Sequence, residues 1–259
     1  LEKKCTNIGY PILIKASAGG GGIGMQIVNN FNELKSAVDK TKNLAKKAFG
    51  NSDIFLEKFI RNSRHIEIQV FGYGEKSAVH FYERDCSIQR RFQKIIEESP
   101  APKVDQSIIK KMAEMSVKFA SDQKYEGAGT IEFIYDIDQK KFYFLEMNTR
   151  IQVEHPVTEE ITGVDLVELQ IKYALNLDST RVLQNEITKK GNSLECRLYA
   201  EDPKKNFLPS PGKISKLRLP EVSKDIRIDI GVGEGDEISF YYDPMIAKII
   251  VKGENRYET

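Results

Sequence analysis

The amino-acid sequence predicts an α+β protein built from antiparallel hairpins and followed by a mostly β segment. Three observations support this prediction. Short apolar runs with the alternation of β-strands recur along the chain and end at glycine or polar turn residues. Residues 32–49 and 106–124 instead carry apolar side chains at helical spacing. Beyond residue 178, strand-like runs are separated by loops containing proline and glycine, which places an expected domain boundary near 180–192.

Composition limits the classes of function that the chain can serve. With 259 residues, 40% of them apolar, the chain can bury a core, and its net charge of +1 gives no support for binding nucleic acid or membranes through bulk charge. Cys5, Cys86 and Cys196 lie far apart, which argues against a disulfide framework or a thiolate zinc site and favours a reducing compartment. Because the sequence begins and ends beside strand signals, we expect it to be a fragment cut at both ends.

The first elements are two short strands around a glycine run. Apolar residues at 11–15 and 25–28 predict the strands. The stripe at 32–49 predicts a helix with Asn32 as its N-cap and Gly50 at its end. Three strands are expected next, at 54–60, 65–73 and 78–83, and then the helix at 106–124. After the hairpin described below, we expect a helix at 164–175 and strands at 193–200, 226–230 and 246–251.

A hairpin centred near Gln139 is the most informative element of the chain. Apolar runs flank a polar turn, and a register symmetric about Gln139 places Glu132 opposite Glu146. Ile134 and Phe144 then share the face of these two carboxylates, because strand side chains alternate with a period of two. The pattern therefore predicts a pair of acidic side chains on one side of a sheet.

Four further polar residues, Asn148, Arg150, Gln152 and Glu154, follow on the same parity. A strand between apolar runs with so many polar groups on one face is costly unless something binds there. Carboxylate and amide oxygens are the ligands that magnesium and manganese prefer. Arg150 and Glu154 lie four residues apart, and a cation beside a carboxylate can bind a small anion and remove its proton.

The glycine run Gly19–Gly24 predicts a phosphate-binding loop. Glycine amides can approach phosphate oxygens closely, and Lys15 at the end of the incoming strand can reach the same oxygens. The run is not a P-loop, and a strand rather than a helix follows it, which excludes a dinucleotide-binding fingerprint. A hairpin flap over phosphates is the favoured interpretation, and a flexible linker is the alternative.

Other candidate residues keep a structural interpretation beside the functional one. The charged run 83–94, taken alone, favours a solvated face or an ion-pair loop, although its cations can hold an oxyanion if phosphates and a metal lie near. Glu57 and Lys58 can either read an adenine edge or end a sheet. His65 and His155 each fit a structural role. Together the pattern indicates nucleotide phosphates, a divalent metal and a general base.

These segments together resemble biotin carboxylase, the ATP-grasp component of biotin-dependent carboxylases, and most of all acyl-CoA carboxylases. The matching motifs occur in family order: Lys15-Ala-Ser-Ala-Gly19-Gly-Gly-Gly-Ile-Gly24-Met25, Arg64-His65-Ile-Glu67-Ile-Gln69, Glu83-Arg-Asp-Cys86-Ser-Ile-Gln89, Glu146-Met-Asn148-Thr-Arg150-Ile-Gln152-Val-Glu154-His-Pro156, Glu195-Cys196-Arg197 and Phe207-Leu-Pro-Ser-Pro-Gly212. The resemblance implies an ATP-grasp domain over 1–185, with the flap in residues 1–60 and a central antiparallel sheet. It also implies an incomplete, mostly β biotin carboxylase C-terminal domain over 186–259, and we expect the family's N-terminal domain to be absent from this sequence.

The resemblance also implies a role for each matching residue. The residues expected to bind ATP are Lys15, Gly20, Gly21, Gly22, Gly24, Met25, Glu57, Lys58, His65 and Gln89. Two magnesium or manganese ions are expected on Glu132, Glu146 and Asn148. Bicarbonate is expected among Lys94, Arg150, Gln152 and Val153, with Glu154 as the base and Arg197 stabilising the biotin enolate.

The implied activity is ATP-dependent carboxylation of biotin on a carrier. Bicarbonate attacks the γ-phosphoryl group to give carboxyphosphate, and biotin then captures the released CO₂. The implied partners are a biotin carboxyl carrier protein or domain, a carboxyltransferase component and a second copy of the chain, with no nucleic acid and no membrane. Location in the cytoplasm is expected, with the mitochondrial matrix as the alternative. The sequence leaves the final acceptor open among acetyl-CoA, propionyl-CoA, another acyl-CoA, pyruvate and urea.

Two departures from the family pattern and two alternative functions remain open. Phe92 stands where His or Asn is usual, which puts a ribose contact in doubt, and Ile23 replaces a usual Arg or Lys in the glycine run. One alternative is another ATP-grasp ligase of the carbamoyl-phosphate type. The other is a catalytically inactive fragment that binds a partner.

Overall fold

The computed structural model of the protein describes residues 2–18, 24–177 and 181–259, and it divides the chain into two compact units. The first unit comprises Leu1–Ser63, Gln89–Lys94 and Asp136–Gln139. The second unit comprises Arg64–Ile88, Ile95–Tyr135 and Lys140–Thr259. Among the described residues, every helix is too short or too polar to cross a membrane.

A small antiparallel sheet forms the first unit. Strand β1 (Ile12–Ala16) lies between β2 (Gln26–Val28) and β3 (Ile54–Lys58), close to the strands that the sequence predicts. Helix α1 (Glu2–Ile8) and helix α2 (Phe31–Phe49) contribute to the same core. The buried residues of this core are Cys5, Ile12, Ile14, Val28, Leu34, Ala37 and Val38. They show why β1 alternates and why α2 carries an apolar stripe.

The N-cap of helix α2 lies two residues before the predicted cap at Asn32. Asn30 is the N-cap, and its side chain accepts a hydrogen bond from the Glu33 N–H at 3.3 Å. The Glu33 carboxylate in turn accepts from the Asn29 N–H at 2.9 Å. This reciprocal arrangement resembles a capping box, so the Asn-x-x-Glu spacing was the better signal. The predicted end is confirmed, because Gly50 caps the helix with a left-handed φ of 71°.

An eight-stranded sheet dominates the second unit. Its strands are β4 (Ser63–Tyr73), β5 (Ala78–Arg90), β6 (Gln93–Ser99), β7 (Glu126–Asp136), β8 (Lys141–Asn148), β9 (Asn192–Tyr199), β13 (Ile226–Ile230) and β15 (Met245–Gly253). They lie in the order β13-β15-β9-β6-β5-β4-β7-β8. Short two-stranded ladders join β10 (Glu201–Asp202) to β11 (Leu208–Pro209) and β12 (Gly212–Lys213) to β14 (Glu237–Ile238).

Strand β5 is much longer than the predicted strand at 78–83. It continues through the first half of the charged run, where Glu83, Arg84 and Asp85 are buried. The expected solvated face or ion-pair loop is therefore wrong for this half. Charged residues remain in the strand because the neighbouring strand β4 places complementary groups opposite them, including Glu67 opposite Arg84.

Helices cover the sheet of the second unit. Helix α3 (Gln106–Asp122) packs through Ile109 and Met112 against a cluster that includes Ile68 and Phe133. Helix α5 (Leu166–Ala174) packs through Leu166 against a separate cluster of the same unit. A further helix, α4 (His155–Thr162), contacts β9 and β15 and was not predicted. Its signals were Pro156 in the first turn and Gly163, which caps it with a φ of 70°.

Strands β7 and β8 are neighbours in the sheet, as the hairpin prediction requires, but the alternation expected along β8 is wrong. Phe144 was expected on the face of Glu132. Its ring centroid instead lies 6.5 Å from that of Phe133, whose side chain points away from that of the adjacent Glu132. Phe142 and Met147, which differ in parity, both pack against the same core cluster. The alternation therefore changes phase between them, as it does at a β-bulge.

Gly72 on β4 is required by a close approach of the backbone. A Cβ atom at this position would lie 2.0 Å from the carbonyl oxygen of Tyr125. We expect Gly72→Ala to lower the free energy of unfolding by about 3 kcal/mol, because a backbone atom cannot move aside cheaply. Denaturant unfolding of the full-length protein measures this change. Gly231→Ala is the control, since its Cβ would meet no atom within 4 Å, and equal losses in the two variants would contradict the packing argument.

Candidate functional site

One face of the eight-stranded sheet is polar although it is buried. Along β4, His65, Glu67 and Gln69 alternate with apolar residues and therefore share a face. Glu67 lies opposite Arg84 of β5 in the strand register, and both side chains are fully buried. Burying such groups is costly unless they are paired, so the pairing partners define the arrangement of the site.

The Arg84 guanidinium is the centre of this polar face. All three of its nitrogens donate to acceptors that come from β4, β7, α4 and the loop before α4. The acceptors are Glu67 Oε1 at 2.6 Å, Gln69 Oε1 at 2.7 Å, Thr158 Oγ1 at 3.0 Å, Thr130 Oγ1 at 3.0 Å and Gln152 Oε1 at 3.2 Å. Burial opposes the charge, but the carboxylates of Glu67 and Glu154 raise the pKa of Arg84 above its ordinary value.

A second group of side chains converges on the buried carboxylate of Glu132 in β7. Asn148, the last residue of β8, donates through Nδ2 to Glu132 Oε1 at 3.0 Å. Gln152 donates through Nε2 to the same oxygen at 2.9 Å. The Nε2 atom of His65 lies 3.0 Å from Glu132 Oε2. The structure therefore joins Glu132 with Asn148, as the sequence predicted, and adds His65 and Gln152 to them.

The donor set around Glu132 fits a hard divalent cation. Ligand atoms of His65, Glu67 and Glu132 all lie within 4.8 Å of one another. Asn148 offers an amide oxygen, and Glu146 stands two residues before it on β8 with an exposed side chain. Carboxylate and amide oxygens with one exposed acidic ligand suit magnesium or manganese held partly by a phosphorylated ligand.

The loop from 149 to 154 does not continue the strand, which corrects the parity argument beyond Asn148. Strand β8 ends at Asn148, and α4 begins at His155 with Glu154 as its N-cap residue. The loop is held by Gln152, which contacts both Arg84 and Glu132, and by the ring nitrogen of His155, 2.8 Å from the Gln152 carbonyl oxygen. Gln152 thus reaches the predicted site through a turn rather than through alternation.

Glu154 and Arg197 are in direct contact. Arg197 Nη2 donates to Glu154 Oε2 at 2.9 Å, and Arg197 Nε lies 2.7 Å from Glu97 Oε1. Glu154 and Glu97 are both buried. Burial opposes the charge of Arg197, but the two carboxylates raise its pKa above the ordinary value.

Arg150 does not take the place that the sequence interpretation gave it beside Glu154. Its guanidinium donates instead to the Ile151 carbonyl at 3.2 Å and to Asn148 Oδ1 at 3.4 Å.

The predicted residues of the first unit form contacts of their own. Lys15 Nζ lies 2.6 Å from Glu57 Oε2, and Lys58 Nζ donates to the Gly9 carbonyl at 2.8 Å. Gly24 adopts a left-handed φ of 77° directly before Met25. The other glycines expected to bind phosphate lie outside the described residues: Gly20, Gly21 and Gly22.

The three remaining candidate residues, Gln89, Lys94 and Val153, lie at or near turns. Gln89 and Lys94 are half-buried near the turn between β5 and β6, where Arg91 and Phe92 both have left-handed φ angles. Two consecutive left-handed residues are typical of a tight hairpin turn, and Phe92 is exposed there. The carbonyl of Val153 accepts from Lys248 Nζ at 2.8 Å.

Sequence reasoning missed the structural roles of Glu67, Arg84, Glu97 and Glu195. A signal was available for Glu67, because the run from His65 to Val70 alternates strictly between polar and apolar residues. The same period-two signal was applied only to the segment around Glu132. Arg84 was hidden in the charged run, whose burial depends on the register of β4 and β5.

Comparison with protein families gives two matches that together cover most of the chain. The model of "Carbamoyl-phosphate synthase L chain, ATP binding domain" matches residues 2–181, and that of "Biotin carboxylase C-terminal domain" matches residues 195–259. Biotin carboxylase 2 of Bacillus subtilis is 51% identical over 262 residues, which cover 100% of this chain and 58% of that protein. The mitochondrial methylcrotonoyl-CoA carboxylase subunit alpha of Mus musculus is 48% identical, over 99% of this chain and 35% of that protein. The chain thus spans only part of the length of these relatives.

Solved structures share the fold. The biotin carboxylase domain of Hydrogenobacter thermophilus 2-oxoglutarate carboxylase, a dimer with MgADP and bicarbonate, matches with a TM-score of 0.92 and 47% identity, over 98% of this chain and 55% of that one. Biotin carboxylase from Campylobacter jejuni with β-γ-ATP matches with a TM-score of 0.91 and 45% identity, over 97% of this chain and 55% of that one. The expected ATP-grasp fold with a following C-terminal domain is confirmed.

Replacing Arg84 should test how much the polar face depends on it. We expect Arg84→Lys to lower the free energy of unfolding by about 3–5 kcal/mol, because an ammonium cannot reach all the acceptors of a buried guanidinium. Arg256→Lys is the control, since Arg256 forms an exposed pair with Glu98 at 2.6 Å and should cost at most about 1 kcal/mol. Denaturant unfolding compares the two variants. Similar losses in both would show that the buried pairing contributes little.

Proposed function

Because the chain belongs to the family of the carbamoyl-phosphate synthase L chain ATP-binding domain and continues into a biotin carboxylase C-terminal domain, we propose that the full-length protein is a biotin carboxylase. It carboxylates biotin on a carrier, using ATP and bicarbonate through carboxyphosphate. One observation carries the proposal most directly. On one buried face, Gln152 and Arg84 connect the oxygen ligands at Glu132 to the base candidate Glu154 and its partner Arg197.

Glu132, Glu146 and Asn148 would hold the divalent cations, which when bound neutralise charge on the phosphates. The chain supports this role by orienting the ligands. Gln152 and His65 hold the two oxygens of the Glu132 carboxylate, so its position is set before any ion binds. The structure of the H. thermophilus relative contains MgADP, which is consistent with this role.

ATP would be bound by the residues that match the family motifs. We assign the phosphates to Lys15 and to the glycine run. The adenosine is assigned to Glu57, Lys58, His65 and Gln89. Met25, directly after the glycine run, is also assigned to the ATP site. The ion pair of Lys15 with Glu57 at 2.6 Å holds the ammonium of Lys15 before nucleotide binds. The β-γ-ATP complex of the C. jejuni relative supports an ATP site in this family.

Bicarbonate would bind among Lys94, Arg150, Gln152 and Val153, and Glu154 would remove its proton. Deprotonation makes bicarbonate a better nucleophile toward the γ-phosphoryl group, and holding the two groups in the right geometry lowers the barrier further. Arg197 keeps Glu154 in place at 2.9 Å and presents positive charge where the biotin enolate forms. The bicarbonate in the complex of the H. thermophilus domain supports a bicarbonate site in this family.

The wider setting of the activity is also a proposal. A biotin carrier and a carboxyltransferase component would complete the reaction, and the similarity to the methylcrotonoyl-CoA carboxylase subunit supports an acyl-CoA acceptor. The H. thermophilus domain is a dimer, so we propose a homodimer for the full-length protein. Its location would be the cytoplasm, with the mitochondrial matrix as the alternative. We also propose a division of the chain at residue 185.

A radiolabel assay of the full-length protein tests the proposed function. The protein is incubated with MgATP, labelled bicarbonate and free biotin. We expect bicarbonate-dependent ATP cleavage, stimulation by biotin and label in biotin. Stimulation by ammonia instead of biotin would favour a ligase of the carbamoyl-phosphate type. Absence of ATP cleavage in a folded protein would favour a fragment that only binds a partner.

The metal assignment predicts a loss of function when Glu146 is neutralised. We expect Glu146→Gln to lower bicarbonate-dependent ATP cleavage by about a hundredfold or more and to weaken the magnesium dependence of ADP binding. Because Glu146 is exposed, the thermal midpoint should stay close to that of the wild type. Glu114→Gln, on the exposed side of α3, is the control. Unchanged turnover and magnesium dependence would exclude Glu146 as a ligand.

The roles of Glu154 and Arg197 predict different losses. We expect Glu154→Gln to lose both ATP cleavage and carboxybiotin formation, because no base remains for bicarbonate. Arg197→Ala should keep slow bicarbonate-dependent ATP cleavage while carboxybiotin formation falls by about a hundredfold. Both reactions are measured on one preparation whose thermal midpoint is recorded. If Arg197→Ala abolishes ATP cleavage and Glu154→Gln leaves it intact, the roles are reversed.

A further inference from the structure

Two buried carboxyl groups face each other behind Arg197. Glu97 of β6 pairs with Glu195 of β9 in the antiparallel register, and both are 0% exposed. Side chains directly opposite in such a ladder are close neighbours on one face, and like charges there are destabilising. Arg197 lies two residues after Glu195 on the same strand and therefore on the same face.

Arg197 and Lys248 are the cations near these two glutamates, and they lie at unequal distances from them. Arg197 Nε lies 2.7 Å from Glu97 Oε1, while its Nη2 donates to Glu154. Lys248 Nζ lies 3.9 Å from Glu195 Oε2, but it also donates to the Val153 carbonyl at 2.8 Å. Among the residues that the structure describes, neither side-chain oxygen of Glu195 has a hydrogen-bond partner. Glu195 is thus the carboxyl that the surrounding cations neutralise least.

The groups around Glu195 come from every element packed near it. The charged and titratable residues nearest to it are Glu97 on β6, Arg197 and Tyr199 on β9, Lys248 and Lys252 on β15, Arg227 and Asp229 on β13, Glu154 before α4, and His155, Glu159 and Glu160 on α4. Lys94 and Glu98 on β6 and Cys196 on β9 have the opposite parity on their strands. Lys248 does not neutralise Glu195 alone, because its ammonium also lies 3.3 Å from the Asp229 carboxylate.

We propose that Glu195 is a positioning residue that carries a proton at neutral pH and thereby leaves Arg197 free to hold Glu97 and Glu154 together. With its proton, Glu195 adds no second negative charge beside Glu97. Once it ionises, it competes for the guanidinium of Arg197 and draws it away from Glu154. The consequence for biotin carboxylation rests on the function proposed above, whereas the protonation of Glu195 does not.

The electrostatics of the pair support this assignment. Burial is the main cause that raises the pKa of Glu195 to about 8, and the charges of Glu97 and Glu154 add to the rise. Lys248 and Arg197 oppose it. Between the ordinary value of 4.5 and about 8, the folded protein therefore binds more protons at Glu195 than the unfolded chain does. The free energy of unfolding must then fall as pH rises through this window, and the loss is complete above it.

Thermal unfolding of the full-length protein between pH 5 and pH 9 tests the protonation. Glutamine is the isostere of a protonated glutamate, so we expect Glu195→Gln to match the wild type near pH 5 and to exceed its thermal midpoint increasingly toward pH 8. Glu98→Gln is the matched control, because Glu98 is the next residue on β6 and pairs with Arg256 on the other face. It should show a difference from the wild type that does not grow with pH.

A second variant keeps this test decisive if Glu195→Gln folds poorly. Glu97→Gln removes the opposing charge, so Glu195 should ionise more easily and the midpoint should depend less on pH than in the wild type. A midpoint difference between Glu195→Gln and the wild type that is constant over this pH range would overturn the proposal. An unchanged pH dependence in Glu97→Gln would overturn it as well.

The pH profile of the reaction tests the positioning role. In the wild type, we expect carboxybiotin formation to decline above about pH 8 more steeply than bicarbonate-dependent ATP cleavage. Glu195→Gln should move that decline upward by about one pH unit or more, and Glu98→Gln should not. Superimposable profiles for Glu195→Gln and the wild type would refute the positioning role. If the wild type cleaves no ATP with bicarbonate, the proposed function fails, and the unfolding data still decide whether Glu195 is protonated.

Discussion

The buried guanidinium of Arg84 is the constraint on which the rest of the site depends. Its donors have a fixed planar geometry and its charge cannot be lost, so the fold must bring acceptors to every nitrogen. Strand β4 supplies two acceptors, and β7, α4 and the loop 149–154 supply one each, so a shift in any of these elements weakens the pairing of a buried donor. Gln152 extends this constraint to Glu132, because its amide oxygen accepts from Arg84 while its amide nitrogen donates to the Glu132 carboxylate. The candidate metal ligand is thus positioned by packing around a cation it does not touch.

The same face holds more negative charge than a sheet built only for stability would. Arg197 is shared between Glu97 and Glu154, and Lys248 lies near both Glu195 and Asp229. Apolar residues of similar volume would usually be at least as stable in a buried sheet as these charged groups. Such a cost is typical of sites that must present charge to a ligand, which favours assigning the closely opposed acids to the candidate site rather than to the general core.

Much of the fold follows from local periodicity. Strands and helices with a clear apolar face, such as β1, β13, α2 and α3, lie within a few residues of their predicted positions, because burial of that face decides their conformation. Errors occur where tertiary contacts overrule the local pattern. Alternation along β8 changes phase before Met147, and α4 follows a loop that local periodicity assigned to a strand.

The residues of the candidate site also differ in whether local periodicity or tertiary contacts determine them. Glu132 and Asn148 could be predicted because they stand among apolar residues on strands, where an unpaired carboxylate would be costly. Arg84 could not, because it stands in a charged run and such runs are usually solvated. For both Arg84 and Glu195, only the strand register shows which residue lies opposite: Glu67 in one case and Glu97 in the other. Register depends on contacts between strands far apart in sequence. The contact between Glu132 and Asn148 was therefore easier to predict from one sequence than the contacts that hold Glu132 in place.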